Sequence, residues 1–564
     1  MRVLGINCVY HESSAALVMD GRVVAAAEEE RFNRLKHGKP ALVSNADTLP
    51  VEAIAFCLEQ AGLESEDIDL VAVAFDPEVR RDTFRTDPLS VPGDWGSADG
   101  EALFQAGLAR IPDRLSDLLG FDCTEAVRWI PHHVAHGASA YFPCGDDQAA
   151  VLVVDGIGES ATALLGAGKG ALVESLADLR YPNSVGFVWE KLSAYLGFSA
   201  YDASKVMGLA SYGDPRPFSA ALAEIVGEGP EPHVLDDAFE FRLPGFDALE
   251  QRFGPQRRAD EPIEQRHINL AATLQSWNNK TVLGLAEQAY RLHPTDTLCF
   301  SGGVALNCTT NWLLKEEGPF ARVFIPSAPH DAGTAVGAAL TVWHATSGVL
   351  PQPSTDGCEY TGPEYSDAQI LAAFAQAGAA PRRCPDIAGE VAGRIAAGEV
   401  VGWFQGRMEL GPRALGNRSL LADPRDPGMR DMLNEKVKHR EPFRPFAPSV
   451  LAERARDWFD LGRDSASFQF MLFTCPVRPE LAARIPAVVH VDGTSRIQTV
   501  SAEANPRYHR LISEFHARTG VPMVLNTSFN DSEPIVCSPA DALATFLGTR
   551  IDAVAIGDYL ATRV

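Results

Sequence analysis

Two histidines and two aspartates in this chain have the types and spacing of a metal site. His132 and His136 stand four apart in a run of small residues, Pro-His-His-Val-Ala-His-Gly-Ala-Ser-Ala (131–140). On a helix that spacing places two imidazoles one turn apart on one face, where they can share a cation. Asp155 closes the apolar run Ala-Ala-Val-Leu-Val-Val (149–154), which reads as a buried strand with a carboxylate at its end. Asp331 precedes Ala-Gly-Thr-Ala-Val-Gly-Ala-Ala, again an acid ahead of a small-residue helix. Two imidazoles and two carboxylates make a nitrogen/oxygen set suited to iron, manganese or zinc, and the residue types leave those three open.

A second constellation, cationic, lies toward the C-terminus. The run Gly-Arg-Met-Glu-Leu-Gly-Pro-Arg413-Ala-Leu-Gly-Asn-Arg418 is followed by Lys438, Arg440 and Arg444, then Arg496, then Asn526, Ser528 and Asn530. These cations sit among Gly, Pro and Phe, whereas a solvated basic face would be rich in Glu, Lys and Gln on a helical period. Guanidinium forks converging on a pocket suit a phosphate, with Asn and Ser fixing a neutral end. Between the two constellations, Thr-Leu-Cys-Phe-Ser-Gly302-Gly303-Val-Ala-Leu-Asn307 runs from a strand into a double glycine and a helix start. Backbone N–H groups at such a turn suit a nucleotide's phosphate or ribose. The segment 201–213 holds Lys205 and Gly208 among small residues that let a ligand approach closely. Residues 28–39, where acid and base follow each other after a strand, read as a solvated loop.

The elements that must position these groups belong to an ordinary globular protein. With 564 residues, 46% hydrophobic and 22% charged, the chain exceeds a single core and reads as two or three domains. Residues 2–30 give three short strands with Asp20-Gly21 as a hairpin turn. Residues 151–176 repeat that plan, and helical material lies between and after them at 50–62, 101–119 and 266–291. Such a duplication is how actin-like ATPases and sugar kinases are built, with nucleotide held between the halves. The absence of Gly-x-x-x-x-Gly-Lys-Ser/Thr excludes a P-loop enzyme. Residues 77–100, rich in Asp, Pro and Gly without a period, read as a surface insertion. Residues 346–383 read as a linker, after which a helix (386–397) and a strand (399–404) open a second domain. The first residues form a strand, not a signal peptide, and no run approaches the roughly 18 apolar residues of a membrane span. Ten scattered cysteines with no Cys-x-x-Cys fit reduced thiols in a cytoplasm. Forty-nine basic against 74 acidic residues leave a net charge of −25, which disfavours a nucleic-acid partner and leans toward a cationic small molecule.

Over nearly its whole length the chain resembles the NodU/CmcH family of O-carbamoyltransferases. The resemblance is carried by Gly-Ile-Asn…His11, Ala-Glu-Glu-Glu-Arg-Phe, His-His-Val-Ala-His, Val-Met-Gly-Leu-Ala-Ser-Tyr-Gly, Ser-Gly-Gly-Val-Ala-Leu-Asn, Gly-Pro-Arg-Ala-Leu-Gly-Asn-Arg-Ser and Asn-Thr-Ser-Phe-Asn. It implies an α/β chain with a duplicated actin-like (ASKHA, TsaD-like) domain over 1–345, the linker 346–383, and an α+β YrdC-like domain over 384–564. The YrdC pairs Lys-x-Arg and Ser-x-Asn correspond to Lys438-His-Arg440 and Ser528-Phe-Asn530.

The resemblance further implies two reactions. Carbamoyl phosphate loses phosphate and its carbamoyl unit joins the α-phosphate of ATP, with Mg2+ accompanying the nucleotide; a substrate hydroxyl then attacks the carbamoyladenylate. It assigns His132, His136, Asp155 and Asp331 to iron, as Fe(II), with zinc or manganese as alternatives. Lys205, Gly208, Gly302, Gly303 and Asn307 would hold the nucleotide. Arg418, Lys438, Arg440, Arg444 and Arg496 would bind carbamoyl phosphate, with Asn526, Ser528 and Asn530 around its amide. His11, between the first two strands, is the expected base, since an alcohol needs one within about 3 Å. The expected partners are carbamoyl phosphate and a small-molecule alcohol of natural-product type, such as an aminoglycoside antibiotic, with neither nucleic acid nor membrane. The alternatives are a tRNA threonylcarbamoyl-modifying enzyme, opposed by the acidic charge, and a non-catalytic actin-like ATP-binding protein, which leaves the basic pocket and the metal set without a purpose.

Overall fold

The computed structural model describes residues 1–88, 90–227, 232–239, 241, 245–350, 359–464 and 468–563. The chain divides into two compact units, Met1–Glu30 with His37–Ser354, and Arg31–Lys36 with Thr355–Val564.

The first unit is built on two sheets of the same design. In one, β1 (Arg2–Asn7), β2 (Ser14–Met19), β3 (Arg22–Glu28), β4 (Leu70–Val73) and β5 (Val127–Trp129) lie in the order β3-β2-β1-β4-β5. In the other, β6 (Gln148–Val154), β7 (Ala161–Lys169), β8 (Leu172–Arg180), β9 (Thr297–Ser301) and β10 (Arg322–Phe324) lie in the order β8-β7-β6-β9-β10. In both, the first three strands are antiparallel and the last two join the first strand's other side in parallel. The passages 2–30 and 151–176 are the antiparallel meanders of these sheets. Asp20 (φ 49°) and Gly21 (φ 78°) are both left-handed, as the tight two-residue hairpin requires.

Helix Thr334–Ser347 packs against helix His132–Cys144 as well as β1 and β2. A side chain at Gly337 would collide with the Ala135 carbonyl, so glycine sets how closely the two helices approach. That approach brings Asp331, just before one helix, to the histidines of the other.

Two stretches differ from the sequence reading. Within 77–100, Asp76 caps a helix over Pro77–Thr83, and Arg80 is buried with a two-pronged bond to Glu101 (2.9 and 2.7 Å). Its guanidinium lies 3.3 Å from the Phe84 ring centre; Arg80 ties this stretch into the core, and no apolar period marks it. Within 346–383, residues 351–358 lie outside the described residues, while Asp367–Gln376 is a helix started by a Ser366/Gln369 capping box. That helix belongs to the second unit.

The second unit centres on an eight-stranded mixed sheet, ordered Arg382–Arg383, Tyr559–Thr562, Ala553–Ile556, Val401–Phe404, Arg418–Ala422, Met523–Ser528, Ala447–Leu451, Gln498–Val500. Residues 31–36 join it from the far end of the sequence. Arg31 donates to Gly411 O (2.9 Å), Arg34 to Pro534 O (2.6 Å) and Ile535 O (2.8 Å), and Phe32 packs on Met408, Ile535 and Cys537. The excursion is closed in the first unit, where the Glu30 carboxylate accepts the His37 N–H at 2.8 Å. Among the described residues no helix is long and apolar enough to cross a membrane.

Candidate functional site

In the first unit the four residues read as metal ligands converge. His132 opens its helix and His136 follows one turn later; Asp155 follows β6 directly, and Asp331 begins a short 3-10 turn. His132 Nε2 lies 3.5 Å from both Asp155 Oδ2 and Asp331 Oδ1, and His136 Nε2 lies 3.3 and 3.2 Å from the same atoms. All four side chains are buried. Burial opposes charge on each, yet their mutual attraction wins: both histidines are held above the ordinary imidazole range and both aspartates below the carboxylate range.

Neighbouring groups aim these ligands. The Ala74 carbonyl can only accept, so His132 Nδ1 carries the proton at 3.2 Å, and its Nε2 faces the carboxylates with no hydrogen-bond partner among the described residues. Asp155 Oδ1 accepts the Gly303 N–H (2.9 Å), leaving Oδ2 toward the histidines. One oxygen of Glu159 accepts the N–H of both Asp76 (2.9 Å) and His132 (2.8 Å), fixing the start of the helix. A divalent ion at about 2.0–2.1 Å from each donor would space tetrahedral neighbours about 3.3 Å apart. The orphaned imidazole nitrogen and the four histidine–aspartate separations fit a cation, all four donor atoms lying within 4.8 Å of one another. Glu159 lies in the same chain segment as Asp155, but nothing in its spacing marks it as the partner of a helix start elsewhere.

The turn between β1 and β2 forms the rim of this set. His11 Nδ1 stands 3.9 Å from Asp331 Oδ2, and its ring meets Tyr201 edge-on at 5.1 Å. Next to it, Glu12 Oε1 lies 2.5 Å from His37 Nδ1, and Glu12 Oε2 lies 3.9 Å from His330 Nε2. Glu12 is held down at about 2: burial opposes its charge, but the His37 bond and the surrounding imidazoles outweigh it. The sequence reading of 28–39 as a solvated loop thus misses His37. Glu190, also unflagged by sequence, is pushed up to about 8 by burial and by the charges of Asp155 and Asp331.

The expected nucleotide residues divide. Gly302 has φ 90°, and a side chain there would collide with the backbone of Val154. Its N–H donates to Pro329 O (2.8 Å) while that of Gly303 serves Asp155. The double glycine therefore positions a ligand, and those two amides are already engaged rather than open to a phosphate. Asn307 caps the following helix through Thr310 N (3.1 Å) and pairs with Gln275 (3.0 Å). Lys205 pairs with Asp202 (3.1 Å) on helix Ala203–Ala210, which also holds Gly208. That helix approaches the Asn307 turn through Met207 and Cys308 (3.8 Å between sulfurs).

In the second unit, Lys438 is buried and its Nζ donates to Ser528 O (2.6 Å), Asn530 O (2.8 Å) and Asn530 Oδ1 (2.5 Å). Burial, then Arg440 and Arg444, push the ammonium well below the ordinary lysine range. Arg440 lies over the Phe446 ring and bonds Asn434 (2.7 Å); burial, Arg444 and Arg496 bring it down to about 9. The structure thus assembles Lys438, Arg440, Arg444, Arg496, Ser528 and Asn530.

Of the other two expected members, Arg418 stands apart and Asn526 is engaged only through its amide nitrogen. Arg418 is fully buried, donates to the carbonyls of Gln405 (2.7 Å), Asn417 (3.0 Å) and Pro363 (2.8 Å), and stacks on Phe404. It clamps its own loop, because a guanidinium enclosed by carbonyls cannot also face an anion. Asn526 uses its amide nitrogen on Ala414 O (3.0 Å) and Ser449 (2.9 Å), and its buried Oδ1 accepts nothing among the described residues. The loop rests on Glu409, whose Oε1 accepts the N–H of Leu415 (2.7 Å), Asn417 (2.7 Å) and Arg418 (3.1 Å).

Comparison with known proteins identifies the family along both ends of the chain. The family model of the carbamoyltransferase N-terminus matches residues 2–340, and that of the carbamoyltransferase C-terminus matches 392–563. The nodulation protein NolNO of Sinorhizobium fredii is 38% identical over 98% of this chain and 79% of its own length. The nodulation protein U of Rhizobium tropici is 31% identical over 94% of this chain and 91% of its own. Among solved structures, the ROK hexokinase of Thermus thermophilus aligns with 62% of this chain and 100% of its own, at TM-score 0.30 and 16% identity, too remote for any inference. Two family models, one over each end of the chain, and relatives matched along nearly all of it make this a member of the carbamoyltransferase family, of the NodU/CmcH type.

Proposed function

We propose that this carbamoyltransferase activates carbamoyl phosphate with ATP in its second unit and transfers the carbamoyl group to an alcohol in its first. Activation consumes carbamoyl phosphate, ATP and water and yields carbamoyladenylate, phosphate and pyrophosphate, with Mg2+ accompanying the nucleotide. The observation that carries this reading is the cationic group Lys438, Arg440, Arg444 and Arg496, in which burial and then the charges of Arg444 and Arg496 bring Arg440 down to about 9. Cations so placed call for an anion. Asn526 Oδ1, buried with no partner among the described residues, is suited to accept from a carbamoyl amide, and Ser528 and Asn530 adjoin Lys438. This supports the YrdC-like assignment of residues 384–564.

In the first unit, the repeated sheet supports an actin-like assignment of residues 1–345, with the adenylate bordered by the turn at Gly302, Gly303 and Asn307 and by the helix of Lys205 and Gly208. His132, His136, Asp155 and Asp331 would hold a divalent ion, Fe(II) by family resemblance, with zinc and manganese suited to the same donors. When bound, such an ion supplies Lewis-acid stabilisation of charge on the departing AMP. His11, 3.9 Å from Asp331 on the rim, supports placing the acceptor hydroxyl on that side. A natural-product alcohol fits this chemistry, and the −25 net charge favours a cationic one such as an aminoglycoside.

The test is mass spectrometry of the protein with ATP, Mg2+ and carbamoyl phosphate and no acceptor. Carbamoyladenylate, or AMP with pyrophosphate, formed only when carbamoyl phosphate is present, is the expected result. Unchanged ATP, or ADP as the product, refutes the activation step.

A further inference from the structure

We propose that His490 is a further ligand-binding residue of the second unit, where its Nε2 accepts an amide N–H of the carbamoyl group and sets the preference for carbamoyl over other acyl phosphates. The inference rests on the carbamoyl phosphate reading above and adds to it a group that tells an amide from a methyl.

Three observations carry it. The first is the tautomer. The turn 490–494 closes on itself, the His490 N–H donating to Thr494 O (2.8 Å) and the Gly493 N–H to His490 O (3.0 Å). It brings the imidazole Nδ1 to 3.3 Å from Thr494 Oγ1. The Thr494 hydroxyl gives its one proton to Asp492 Oδ1 at 2.7 Å, so toward the ring it can only accept. That assigns the ring proton to Nδ1 and leaves a lone pair on Nε2.

The second is that the lone pair is unused. Nε2 is buried and has no hydrogen-bond partner among the described residues. Burial lowers the imidazole to about 4, with Asp492 opposing and Arg496 adding to the effect, so the ring is neutral near pH 7. The Phe446 backbone is the last and smallest influence on the ring and forms no bond with Nε2. A buried acceptor left without a donor is unfavourable, and a ligand's N–H would complete it.

The third is placement. On the strand Thr494–Arg496, residues two apart share a face, so a ring bonded to Thr494 lies on the side of Arg496. Arg496 lowers both His490 and Arg440, and Arg440 lies 4.4 Å over the Phe446 ring. The surrounding cations are donors only: they suit a phosphate and offer nothing to an amide hydrogen. The Lys438 ammonium already takes the side-chain oxygens of Ser528 and Asn530. His490 Nε2 and Asn526 Oδ1, both buried and unpaired among the described residues, supply the missing acceptors. They match the two N–H bonds of a carbamoyl NH2, and a methyl in its place leaves both unpaired. Thr494 and Asp492 are positioning residues.

The test measures binding of two stable isosteres to the whole chain by calorimetry. Carbamoylphosphonate and acetylphosphonate carry the same phosphonate and differ in NH2 against CH3; inorganic phosphate reports the cations alone. At about tenfold per hydrogen bond, two acceptors should make wild type prefer the carbamoyl compound about 100-fold. His490→Phe, a ring without a lone pair, should cut that preference about 10-fold while binding phosphate within about threefold of wild type. His490→Gln, whose carbonyl accepts, should keep more of the preference than the phenylalanine variant. Thr494→Val keeps the imidazole but removes the acceptor for Nδ1–H, so it should lower the preference by about threefold. It also decides the matter if His490→Phe does not fold. An unchanged preference in either variant, or parallel loss of phosphate and carbamoylphosphonate binding, overturns the assignment. Wild type that binds both isosteres equally overturns it too and leaves the activation reading standing. Wild type that binds none of the three anions refutes that reading itself, and the inference falls with it.

Discussion

The two units each hold a charged cluster, and the clusters are opposite in design. In the first, two imidazoles face two carboxylates at 3.2–3.5 Å, so each charge is met by its opposite. In the second, burial and then the charges of Arg440 and Arg444 lower Lys438, burial and then Arg444 and Arg496 lower Arg440, and the ammonium's direct partners are the neutral oxygens of Ser528 and Asn530. The first cluster is electrically closed and can take a cation by giving up protons. The second carries like charges, offset in part by Glu441 3.8 Å from Arg444, and on the proposed function it is completed by an anion. On the proposed function, the difference keeps a phosphate-handling step and a transfer step in chemically distinct places.

The strongest way to break this comparison is to remove one charge from each cluster. Asp331→Asn should abolish bound metal, measured by elemental analysis, and reduce transfer from supplied carbamoyladenylate by about 10³-fold or more, the scale of losing a group that acts on developing charge. Lys438→Met should reduce carbamoyladenylate formation by about 10²–10³-fold while the supplied adenylate is still turned over. If either variant loses both half-reactions equally, the two clusters do not divide the chemistry.

Stability sharpens the same contrast. Leaving a buried charge without its opposite costs about 3–5 kcal/mol, so chelator-treated Asp331→Asn should show a loss of that order in denaturant unfolding. Lys438→Met leaves acceptors unpaired, at about 1–3 kcal/mol, but relieves repulsion from Arg440 and Arg444, so its net loss should be the smaller of the two. Pyrophosphate should raise wild-type stability by about 2.7 kcal/mol at 100 times its Kd and do less for the lysine variant. An equal pyrophosphate effect on both proteins would place the anion elsewhere.

The two clusters were also unequally legible in the sequence. Helical spacing joins His132 to His136, and an acid ending an apolar strand singles out Asp155, because local periodicity fixes where such side chains point. The Asp20-Gly21 hairpin was readable for the same reason. Arg418 was not: a guanidinium among glycines looks identical whether it faces an anion or, as here, the carbonyls of Gln405, Asn417 and Pro363. The double glycine likewise suggested a phosphate turn, yet Gly302 is needed for backbone passage against Val154 and the Gly303 amide for Asp155. Glu12 and His37 were missed because their pairing depends on two left-handed loop residues 25 positions apart, which no periodicity records.

The smallest expected effect concerns pH. The folded Lys438 ammonium titrates well below its unfolded value of about 10.4. Below the folded value both states hold the proton and the full destabilisation is present. Between the folded value and about 10.4 the unfolded chain binds more protons, so stability rises with pH, at most about 1.4 kcal/mol per unit. Arg440, brought down to about 9, acts with the same sign above that pH. Lys438→Met lacks the lysine contribution, so wild-type stability measured in phosphate-free buffer should gain on that of the variant between pH 7 and pH 10. Saturating pyrophosphate should flatten the gain, since an anion restores the ammonium's proton affinity. A constant gap across that range would mean that the lysine is not held among unbalanced cations, and the contrast between the two clusters would lose its electrostatic basis.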